Sequence, residues 1–98
     1  MYKAMYEHDD LINLSEEIVF EQIHHIIQDG KPAFEPTALN IQDIAAIALN
    51  QMPPKYVTSI LERHNPSEEL REEVAELKKY ARRQVIKAIN KVNKHPHG

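Results

Sequence analysis

The sequence predicts an all-α fold, a small bundle of four to five helices closed by one long C-terminal helix and paired with a second copy of itself. Three observations predict it. Apolar residues recur three and four apart through most of the chain, the period of a helix with one buried face. The prolines and the internal glycine stand between those runs rather than inside them, where they end helices instead of kinking them. From Glu68 to Val92 nothing interrupts the helical pattern. At 98 residues the chain has room for a single domain, residues 1–98, with one modest core.

The elements follow in order. Residues Ala4 to Leu14 are read as a short extra helix. Asn13 lies three residues before Glu16, the spacing of a capping pair, and Ile18, Val19, Ile23, Ile26 and Ile27 then recur at helical intervals. Gly30 closes that helix, because only glycine takes the left-handed conformation of a helix end without cost. Lys31 to Asn40, with Pro32 and Pro36, is an ordered connection anchored by Phe34.

Asn40, with Asp43 three residues on, is read as the cap of a second helix. Its Ile41, Ile44, Ala45, Ile47, Ala48 and Leu49 are apolar on nearly every side, so that helix is expected to be buried. Pro53 disfavours helical geometry at Met52 and Pro54 extends the break. Lys55 to Ser59 is therefore read as extended, followed by a short helical stretch near Ile60 and Leu61. Asn65 is read as the next cap, with Pro66 in the first turn and Glu68 completing a capping box. Leu70, Val74, Leu77, Ala81, Val85, Ala88 and Val92 then mark one stripe along the longest helix. That stripe is longer than so small a body covers, and a homodimer is expected to take up the remainder.

Charge bounds the partners. The formal net charge is −3, which disfavours whole-protein attraction to nucleic acid or anionic lipid. The total hides an asymmetry. Lys78, Lys79, Arg82, Arg83, Lys87, Lys91 and Lys94 are the only charged residues from 78 onward, whereas residues 1–65 hold ten Asp or Glu against four Lys or Arg. Cations late in a helix are expected from the macrodipole alone, and Tyr80 is the one aromatic among them, so nucleic acid is not an expected partner. No cysteine is present, which excludes disulfides and thiolate metal sites. The N-terminus lacks the apolar core of a secretion signal and no apolar run is long enough to cross a bilayer; the expected location is the cytoplasm, with no membrane partner.

Catalytic and metal chemistry find little footing. His24 and His25 are adjacent on a helix and point about 100° apart, and His95 and His97 flank a proline at the terminus, so neither pair chelates an ion readily and no metal or cofactor is expected. With no Cys, no Gly-rich phosphate loop, and Ser15, Ser59 and Ser67 at helix ends or turns, the chain reads as non-catalytic.

The run Asp43-Ile44-Ala45-Ala46-Ile47-Ala48-Leu49-Asn50-Gln51-Met52-Pro53-Pro54-Lys55-Tyr56-Val57 is the most specific feature. It resembles the central motif of late competence development ComFB-type proteins: an acidic residue before A-x-A-L-N, a P-P, then a basic-aromatic pair. The resemblance spans roughly Asn13 to Ser59. It implies a non-catalytic regulatory domain linked to competence and motility, and a receptor for cyclic dinucleotides, chiefly cyclic di-GMP. Several such proteins carry a zinc-binding cysteine cluster just before the central helix, where this chain has Glu35, Thr37 and Asn40; the zinc role is not carried over.

A cyclic dinucleotide needs cations for two phosphates, carboxylates or amides for guanine edges, and flat groups for stacking. The resemblance bears on Asp43 and Asn50 as guanine-edge partners, Lys55 as a cation and Tyr56 as a stacking surface. Lys31 and Arg63 are added as cations, and Phe34 as a second flat group, on chemistry alone. Each has a structural alternative: Asp43 as a cap, Asn50 as a partner for carbonyls at the end of the second helix, Tyr56 and Phe34 as core fillers, the lysines as solvated cations. The alternative function is a ligand-free interaction module that binds protein or nucleic acid through its basic last helix.

Overall fold

The computed structural model describes residues 2–58 and 67–95. A 3-10 turn, Tyr2–Met5, is followed by strand β1 (Ile12–Asn13), helix α1 (Leu14–Asp29), helix α2 (Ala38–Leu49), strand β2 (Tyr56–Val57) and helix α3 (Glu68–Lys94). The two strands pair antiparallel, Ile12 with Val57 and Asn13 with Tyr56. The expected four to five helices are thus corrected: the described residues contain three α-helices and a two-stranded sheet. No helix spans Ala4 to Leu14: the 3-10 turn Tyr2–Met5 overlaps only its first two residues and buries nothing, and Tyr2, Met5 and Tyr6 are exposed. With no face to bury, a helix there has nothing to hold it. The expected stretch at Ile60 and Leu61, and the cap at Asn65, lie outside the described residues.

The caps decide where the helices begin. Asn13 caps α1 as expected, its Oδ1 accepting from the Ser15 amide at 3.1 Å, and Gly30 ends it at φ 74° with its N–H on the Ile26 carbonyl. The second helix begins earlier than expected: Thr37, not Asn40, is its cap, with Oγ1 accepting from the Asn40 amide at 3.1 Å. Asn40 is inside the first turn, and its Nδ2 donates to the Glu35 carbonyl at 2.9 Å. That carbonyl also accepts from the Thr37 amide. Glu35, Thr37 and Asn40 therefore close a small network at the start of α2. Ser67 caps α3, accepting from the Leu70 amide at 3.1 Å.

The core lies where the three helices meet. Ile18, Val19, Ile23 and Ile26 of α1 pack with Ile44, Ala45 and Ala48 of α2 and with Ala81, Val85, Ala88, Ile89 and Val92 of α3. Phe34 packs against this cluster as the expected anchor, and Asn93 Nδ2 donates to the Ala33 carbonyl at 2.9 Å, tying the same connection to α3. Helix α2 is buried on one face only, since Leu39 is half exposed and Ala46 is exposed. The 27 residues of α3 span about 40 Å at the usual helical rise, matching the longest extent of the molecule, 42 Å.

Candidate functional site

The proline step is fixed from below by the start of α1. Pro53 and Pro54 have no N–H to offer, and the groups around them are taken up by residues 13–15. Ser15 is fully buried and its Oγ donates to the Pro53 carbonyl. The Lys55 amide donates to Asn13 Oδ1 at 2.9 Å, the atom that also caps α1, and the Leu14 amide donates to the Lys55 carbonyl at 2.7 Å. Met52, also buried, turns in just before the step. The motif therefore holds an irregular segment in one place, and Ser15, read from sequence as a helix-end residue, is a core donor.

Two of the concavities among the described residues contain residues of the motif. One is a groove of about 860 Å³ between Pro53–Pro54 and the first half of α3, with Leu77 and Tyr80 on its floor and Glu69, Glu72, Glu73 and Glu76 along it. Lys55 projects into it and pairs with Glu73, Nζ to Oε2 2.7 Å, both side chains being partly exposed. Arg83 stacks over the Tyr80 ring, 5.5 Å from its centroid. A second concavity, about 400 Å³, lies between α2 and the end of α3 and is lined by Asp43, Lys91 and His95 together with Ala46, Ile47 and Val92.

The six residues singled out for a nucleotide are dispersed over this surface. Asp43 lines the smaller concavity and Lys55 the groove. Asn50 is exposed at the C-cap of α2, where its own N–H goes to the Ala46 and Ala48 carbonyls. Tyr56 is 60% exposed, so it is not a core filler. Lys31 is exposed just after the Gly30 cap, and Arg63 lies outside the described residues. Asp43 and Lys55 each have further interactions of their own.

Lys91 and His95 were not among the residues expected from sequence. Lys91 stands in the last turn of α3 and His95 is its C-cap, but that they share a concavity with Asp43 is a tertiary fact with no local signal. The basic run is tied up with nearby carboxylates: Lys78 pairs with Glu21 at 3.3 Å, Arg82 with Asp29 at 3.6 Å and Lys79 with Glu76 at 3.7 Å. Such pairs lower the charge that the helix shows to phosphates. Among the described residues no group of three or more His, Asp or Glu is placed to hold a metal ion, and no helix is long and apolar enough to cross a membrane.

A family model described as late competence development protein ComFB matches residues 12–96. The match runs past the Asn13–Ser59 span of the motif and takes in all of α3. No curated protein matches the chain.

Proposed function

The chain belongs to the late competence development protein ComFB family, which supports a competence-related regulatory role, and from that premise we propose that it is a non-catalytic receptor for a cyclic dinucleotide, cyclic di-GMP in the first place. The observation that carries this reading is the concavity at Asp43, Lys91 and His95. A carboxylate accepts from the two N–H groups on one edge of guanine, a lysine neutralises a phosphate, and an imidazole meets either the guanine acceptors or the phosphate. Ala46, Ile47 and Val92 give a base an apolar surface to lie on. At about 400 Å³ the space falls at the small end of ligand sites, suited to half of a two-fold ligand. A homodimer, each copy giving its concavity to one half, completes the reading. Asp43 already has partners, so a guanine edge shares or displaces them.

The test is the melting temperature of the purified chain with cyclic di-GMP, cyclic di-AMP and GTP, followed by calorimetry. One cyclic dinucleotide is expected to raise it by several degrees, since a ligand at about 100 times its Kd adds about 2.7 kcal/mol to the folded state. Asp43→Ala and Lys91→Ala are each expected to weaken binding about tenfold or more, as loss of a charge-assisted contact does. Lys55→Ala reports whether the proline step also touches the ligand. No shift with any of the three nucleotides at millimolar concentration sinks the receptor reading. Binding that ignores Asp43→Ala and Lys91→Ala keeps the function and moves the site.

A further inference from the structure

We propose that the groove between Pro53–Pro54 and the first half of α3 docks a cationic amphipathic segment of a partner protein. The inference is independent of the concavity at Asp43, Lys91 and His95, since the groove shares none of those residues and lies along the other end of α3. The groove is about twice the volume of the concavity at Asp43. Its floor is apolar and stiff: two prolines on one side, Leu77 and Tyr80 on the other. Its rim is acidic, with Glu69, Glu72, Glu73 and Glu76 spaced three and four apart and so on one face of the helix.

Charge complementarity selects the occupant. Four carboxylates repel phosphates and acidic segments, and they favour lysine or arginine laid over apolar side chains. The groove already shows both contacts in miniature. Glu73 holds the Lys55 ammonium at 2.7 Å, and the Tyr80 ring holds the Arg83 guanidinium, the cation–π contact an incoming arginine would make on a neighbouring face. Glu69 and Glu72 form no ion pair among the described residues. A second copy of the chain is the poorer fit: Lys78, Lys79 and Arg82 of its α3 are already paired with its own Glu21, Glu76 and Asp29, so docking them here would exchange ion pairs rather than add them.

The experiment uses the full chain and two labelled synthetic helical peptides, one of leucine and lysine in amphipathic register and one with every lysine replaced by glutamate. Fluorescence anisotropy is expected to show binding of the lysine peptide only. Amide shifts in a ¹⁵N-labelled chain are expected to cluster at Lys55 and at Glu69 to Arg83. Glu72→Gln/Glu76→Gln, both exposed and so harmless to folding, is expected to weaken binding roughly fivefold through the loss of two rim charges. Asp9→Asn/Asp10→Asn removes the same charge elsewhere and is expected to leave affinity unchanged. Equal weakening by both double variants, shifts spread over the acidic surface, or equal binding of the glutamate peptide overturns the proposal. So does a light-scattering mass of two chains that falls to one in Glu72→Gln/Glu76→Gln, because the occupant is then a second copy.

Discussion

Helix α3 is one continuous element with two unlike halves. From Ala81 on it buries Ala81, Gln84, Val85, Ala88, Ile89 and Val92, and from Glu68 to Tyr80 it buries no residue. Leu70, Val74 and Leu77 continue the same apolar stripe but are only partly covered. The charges divide nearby, with every acidic residue of the helix at or before Glu76 and an unbroken basic set from Lys78 on. The difference teaches that a continuous stripe in sequence does not mean a continuous core. The second half is held by packing, with Arg82 paired to Asp29 of α1; the first half is held by its attachment to the second, by Lys78 on Glu21 of α1 and by the contacts along the groove.

The comparison breaks most sharply by truncating one apolar side chain in each half. Ile89→Ala, at a site with no solvent exposure, is expected to cost about 2–5 kcal/mol. Leu70→Ala is expected to cost under about 1 kcal/mol, because little burial is lost. Thermal unfolding followed by circular dichroism measures both. Equal costs would mean that the front half is covered in solution, and the contrast between halves would fall. Next in size is Ser15→Ala, which removes the bond from a fully buried hydroxyl to the Pro53 carbonyl and is expected to cost about 0.5–1.5 kcal/mol. Because the Pro53–Pro54 wall faces the front half of α3, the same variant is expected to weaken the lysine peptide as well; a chain that loses stability and keeps peptide affinity would show that the wall plays no part in docking. The smallest effect belongs to Lys55 and Glu73. A double-mutant cycle on this half-exposed pair is expected to give about 0.2–1 kcal/mol and to fade in high salt. A value that persists in high salt would show that the groove is less open to water than its geometry indicates.

Much of this was legible in the residues, and the misses share a cause. Asn13, Gly30 and the proline break are local devices whose consequence is visible within a few residues, and each acts as read. Asn40 misled because two candidate caps, Thr37 and Asn40, stand three apart; the first wins by accepting the second's amide, which leaves the Asn40 side chain to bind Glu35. The two-residue strands carry no period that a sequence could show. Ile89 was missed for a different reason: the stripe drawn through Val85, Ala88 and Val92 was one residue too narrow, and Ile89 widens the face that meets α1 and α2. The motif located the proline step, but its Asp43 and Lys55 look into different concavities. Lys91 and His95 line the same concavity as Asp43 only because α3 packs against α2, a matter of tertiary path rather than of pattern.

The bonds from residues 13–15 to residues 53–55 join positions 38 and 42 apart in the chain. They close a ring that contains both α1 and α2. Bringing such distant ends together costs entropy that grows with the logarithm of the ring size, and it is repaid only once the helices inside have packed. The proline step, irregular in shape, is therefore tied to the same cooperative transition as the core. One amide oxygen, Asn13 Oδ1, serves both the first turn of α1 and the return of the chain, so that starting the helix and fastening the ring become a single event.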